Sequence, residues 1–128
     1  MRKRFSLVLA VLLATALPAA AQNYIGSYSA WIGGQDLYNS NGQRLWEAWQ
    51  ILRQDRANFH RFNRRDPNDG GDPWFADANA RAQLEQAVMN AGLAPYQRQQ
   101  ILNGGVMVQV DLFGWPGQIT NANVQVFP

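Results

Sequence analysis

Cysteine is missing from all 128 residues. Disulfides are thereby excluded, and so is a lipid-modified cysteine behind any leader. Lysine occurs once, at Lys3, and histidine once, at His60. A single imidazole without thiolates argues against a zinc centre built on the usual ligands. Beyond the N-terminal stretch the serines are Ser27, Ser29 and Ser40, none of them in a nucleophile-elbow context. The dense basic cluster Arg61, Arg64 and Arg65 is followed at once by Asp66, Asp69 and Asp72. That arrangement does not suit a reader of phosphate backbones, so no nucleic-acid partner is expected.

What is present begins with MRKRFSLVLAVLLATALPAAAQ. Three basic residues precede an uncharged run of 13, Phe5 to Leu17, then Pro18 and small residues. This is the order of a secretory signal peptide, and the run is shorter than the roughly 20 residues that span a bilayer. Ala19 and Ala21 form the A-x-A pattern, so residues 1–21 are expected to be cleaved before Gln22. Eight basic against nine acidic residues then leave the mature chain at −1 with His60 neutral. The expected location is periplasmic or secreted, with no membrane anchor. Residues 22–128 suffice for a single domain around one core.

YIGSYSAWI, residues 24–32, reads as a strand, with Tyr24, Tyr28, Ala30 and Ile32 on one parity. DLYNSNG, residues 36–42, is a turn-rich connection with room for a short second strand. Ser40 and Gln43 match the S-x-x-Q capping box, which predicts a first helix over 42–62. Asp72-Pro73 and Asp77 compete to start a second helix, Gly92 closes it, and Pro95 opens a short third. VMVQVDLF, residues 106–113, alternates strictly, and GWPG at 114–117 turns it into a late hairpin. The expected fold is α+β: a mostly antiparallel sheet of three to four strands, the N-terminal strand plus the C-terminal hairpin, packed against two to three helices.

The loop RRDPNDGGDPWF carries the most specific pattern. With Asp66 at position 1, it resembles the twelve-residue EF-hand loop, placing Asn68 at 3, Gly71 at 6, Asp72 at 7 and Asp77 at 12. The resemblance implies calcium as a possible cofactor, held by Asp66, Asn68, Asp72 and Asp77. Gly70 stands where position 5 needs a side-chain oxygen, and Asp77 is shorter than the usual glutamate. The alternative is an ordinary connector whose carboxylates face Arg64 and Arg65.

Asp55 and Arg56 fall inside the apolar arc of the first helix, with His60 one turn beyond Arg56. An ion-pair network is one reading, and a hydrolase pocket using Asp55 and His60 as catalytic groups is the other. Glu47, Asp55, Glu85 and Asp111 are the candidate acids from which a glycosidase pair could be drawn. Among the five tryptophans, Trp46 lies off the core arc, while Trp74 and Trp115 sit in loops beside Pro and Gly. These three are the expected ligand-binding residues. The 24 Asn and Gln beyond the leader are amides suited to bonding sugars or peptides. The expected function is therefore a small exported binding domain without catalysis, whose partner is an envelope protein, a peptide or a glycan. A calcium-binding helix-loop-helix domain and a small secreted hydrolase are the alternatives.

Overall fold

The computed structural model describes residues 23–128, so the expected leader lies outside the described residues. The fold is α+β, as the pattern implies. Three antiparallel strands, β1 (Asn23–Ile32), β2 (Val106–Trp115) and β3 (Gln118–Phe127), form one sheet in the order β1-β2-β3. The crossover between β1 and β2 holds three helices, α1 (Ala48–His60), α2 (Ala78–Asn90) and α3 (Pro95–Asn103). No described helix is long and apolar enough to cross a membrane.

Strand alternation decides which side of the sheet the helices cover. Tyr28 pairs with Val110 and Val110 with Val124, Ala30 pairs with Val108, and Ile32 with Val106. Their side chains meet Ile51, Leu52, Leu84 and Ile101 from the helices in one buried core. Each fully buried aliphatic chain contributes about 1.5–3 kcal/mol, which is why β2, buried at every second residue, sits at the sheet's centre. Tyr24 departs from the expected parity. The register shifts between Tyr24 and Gly26, which makes Ile25 an extra residue on β1 and sends Tyr24 to the outer side opposite Phe113.

α1 is shorter than its periodicity predicts, starting at Ala48 rather than 42. The Asn39 side chain captures the turn instead of Ser40: its Oδ1 accepts from the amides of Asn41 and Gln43. Arg44 then bridges back to Tyr38, and its guanidinium donates to the carbonyls of Leu37, Leu45 and Leu102. Residues 43–47 are thereby held outside the helix, and Glu47 becomes its N-cap. At α2, Asp77 is the cap, accepting from Asn79 N. Asp72 caps a separate turn, accepting from the amides of Trp74 and Phe75.

Candidate functional site

Four expectations meet where α1 faces the 63–77 loop. Arg56 is completely buried, its guanidinium lying 4.5 Å from the Tyr28 ring centroid and 4.7 Å from that of Phe59. Nε donates to Asp55 Oδ2 at 2.7 Å, and Nη1 donates to Gly70 O at 3.0 Å and Asp72 Oδ2 at 2.8 Å. His60 Nε2 donates to the same Asp72 oxygen at 2.7 Å. Asp72 thus accepts two side-chain bonds at Oδ2 and two amide bonds at Oδ1, which uses the four acceptor positions of a carboxylate.

Electrostatics follow from that geometry. Burial drives the Asp55 carboxyl well above its ordinary range, against the pull of Arg56. For Asp72 burial also pushes upward, but the bonds from His60, Phe75 N and Arg56 outweigh it and hold the group below its usual value. Asp55 and His60 are therefore brought into one cluster, with their side chains hydrogen-bonded to Arg56 and Asp72. Tyr28 Oη, Asp55 Oδ1 and Arg56 Nη2 are buried there without a described partner.

The loop's carboxylates point somewhere other than Arg64 and Arg65, which corrects the pairing expected of the connector but not its turn chemistry. Arg65 donates to Phe59 O and lies 4.1 Å over the Phe59 ring, and Arg64 lies beside the ring of Phe62. Asp69 Oδ1 instead accepts from Trp31 N at 2.9 Å, and Gly70 N donates to Ser29 O at 2.9 Å, so the loop closes the free edge of β1. A Cβ on Gly70 would stand 2.7 Å from Ser29 O, so this approach requires glycine. Of the four expected calcium ligands, Asp66 lies against Gly33, Asn68 is exposed, Asp72 is bound to Arg56 and His60, and Asp77 caps α2. Among the described residues, no three His, Cys, Asp or Glu side chains gather at metal-binding range.

Two of the three expected tryptophans converge at the hairpin end of the sheet. A depression of about 310 Å³ is walled by Ile25, Trp74, Pro116 and Ile119, with Asp77 and Gln83 among its polar members. A second, of about 250 Å³, holds Tyr24 and Trp115 and shares Ile25 and Pro116 with the first. Together they reach the size range of small-ligand sites. Trp74 is seated by close packing: a Cβ on Gly26 would lie 2.5 Å from its ring, so a side chain there would displace the indole. Gln83 Oε1 accepts from Ile119 N at 2.9 Å and fixes the start of β3 against α2. Trp46 lies elsewhere, stacked 4.7 Å from the Arg44 guanidinium, in a separate depression with Glu47, Arg98 and Leu102.

Tyr24 and Ile25 belong to this site and sequence reasoning missed them. The bulge that brings them there leaves no distinct sign in an alternating run; Gly26 next to Ile25 was the available hint. Comparisons with family models, curated proteins and solved structures found no match.

Proposed function

We propose that this chain is an exported, non-catalytic binding domain of the periplasm or the medium, and that it takes its ligand at the hairpin end of the sheet. The leader pattern supports export, and the observation that carries the binding reading is the pair of adjoining depressions in which Trp74, Ile25, Pro116 and Trp115 present apolar walls. An aromatic surface left accessible beside a few polar groups suits a peptide or glycan partner. Engagement of Asp55 with Arg56 and of His60 with Asp72 in a closed hydrogen-bonded cluster supports binding over hydrolysis.

Trp115 is the residue to test, because it is 39% exposed and its loss leaves the core intact. Fluorescence titration of the wild-type protein and Trp115→Ala with a peptide pool and an oligosaccharide panel is expected to show binding that the variant loses about tenfold, with an unchanged circular dichroism spectrum. Equal affinities for every ligand would reject the site. Intact mass of naturally made protein is expected to correspond to a chain starting at Gln22.

A further inference from the structure

We infer that the outer side of the sheet, continuous with the hairpin-end depressions through Tyr24, is a platform for a neutral glycan chain. This rests on the binding reading above and adds the ligand's class. The three strands contain no lysine or arginine and one carboxylate, Asp111. A polyanion would find no cation along them and would meet the Asp111 carboxylate, whereas the hydroxyls of an uncharged ligand can donate to that carboxylate.

The aromatic content is what separates this side from an ordinary wetted sheet face. Tyr24 is 61% and Phe127 51% exposed, although both lie on strands. Tyr24 packs edge-on against Phe113 at the hairpin end, with ring centroids 5.8 Å apart. At the opposite end Trp31 and Phe127 both pair with Met107. Between the two ends run polar rows, Ser27–Asp111–Asn123 and Ser29–Gln109–Gln125. The six-residue separation from Phe113 to Met107 on β2 spans about 20 Å, room for several linked sugar rings. A protein partner would favour one contiguous apolar patch, whereas stacking surfaces parted by amides and hydroxyls match the alternating ring faces and hydroxyl edges of a saccharide.

The polar band is already oriented. Ser27 Oγ donates to Asp111 Oδ1 at 2.5 Å, so the Tyr24 hydroxyl, 2.6 Å from Ser27 Oγ, donates to the serine. Gln109 Nε2 donates to the same Asp111 oxygen at 3.3 Å. In the proposed complex Asp111 Oδ2 accepts from sugar hydroxyls, and Asn123 and Gln125 supply donors.

The mature protein is to be titrated calorimetrically with soluble β-glucan, mannan and chitooligosaccharide, with heparin as the polyanion and a peptide pool as the alternative partner. The expected result is binding to a neutral glycan that is insensitive to salt, weakened about tenfold in Tyr24→Ala and in Asp111→Asn, and retained in Trp46→Ala. Tyr24→Phe, which keeps the ring, separates stacking from the hydroxyl bond and guards against misfolding of the alanine variant. Salt-sensitive heparin binding alone, or glycan binding indifferent to Tyr24 and Asp111, overturns the inference. Trp115-dependent peptide binding with no glycan bound overturns it too, while leaving the hairpin-end reading in place. Loss of both peptide and glycan binding removes the two together.

Discussion

The two sides of this sheet reverse the usual distribution of side chains. Beneath the inner side a guanidinium lies fully buried between the rings of Tyr28 and Phe59, with Asp55 and Asp72 closing around it. On the outer side Tyr24 and Phe127 stand in solvent. Alternation along a strand decides only which residues share a side, and the neighbouring elements decide what each side can tolerate. The inner charge is tolerable because α1 and the 63–77 loop supply bonds for most of its donors. The outer rings have no described helix above them, and the proposed contact surface rests on that difference.

The largest expected effect comes from breaking the inner side. Arg56→Met removes the donors that hold Asp55, Asp72 and the Gly70 carbonyl, and leaves buried carboxylates uncompensated. Breaking a buried pair in this way costs roughly 3–5 kcal/mol, read as a lower midpoint in urea unfolding. Replacing Arg56 and Asp55 together by Met and Leu is expected to recover part of it, because no unpaired Asp55 charge remains. A loss of less than about 1 kcal/mol in the single variant would mean that the cluster does not anchor the loop.

Asp36 is the next lever, and it connects the cluster to the start of the helical crossover. Its Oδ1 accepts from Asn58 Nδ2 and its Oδ2 from Gly33 N, yet burial dominates and raises its pKa from the usual 3.8 to about 6. Between those values the folded chain binds more protons than the unfolded one. Stability contributed by the protonated acid is therefore present below pH 3.8 and is lost as pH rises to about 6. The interval corresponds to at most about 3 kcal/mol. Burial raises Asp55 and Asp66 in the same direction, whereas Asp72, held low, contributes stability that is lost only under stronger acid. Unfolding free energies measured from pH 4 to 8 are expected to fall with pH in the wild type and to fall less steeply in Asp36→Asn. Parallel profiles would remove Asp36 from the account.

Both the legible and the illegible parts of this molecule have local causes. Val106, Val108, Val110 and Leu112 alternate without interruption, so β2 and its inner side could be read directly, as could Pro95 at the head of α3. The start of α1 could not, because a capping box was visible at Ser40 while the competing Asn39 turn and the long reach of Arg44 to Leu102 depend on tertiary contacts. Asp55 and Arg56 were recognisable as polar residues on an apolar arc. The Arg56 partner Asp72, 16 residues on, was recognisable only as a cap or a cation ligand. At the candidate site, loop position pointed to Trp74 and Trp115, but Tyr24 required the bulge at Ile25, which a parity rule overrides.

Trp46 gives the smallest expected effect and the sharpest control on the outer side. It is 68% exposed, more than Trp115, so exposure alone would rank it first among binding residues. Its ring is nonetheless engaged by Arg44, whose guanidinium also lies 5.8 Å from the Tyr38 ring and is tied to three backbone carbonyls. An exposed cation–π contact of this kind is worth about 0.5–1 kcal/mol, so Trp46→Ala is expected to lower stability by no more than that. Binding of any ligand lost in Trp115→Ala is expected to persist in Trp46→Ala, because the two residues line separate depressions. Equal loss in both variants would show that exposure, rather than position at the hairpin end, selects the ligand, and the contrast between the sheet's two sides would no longer support the proposed site.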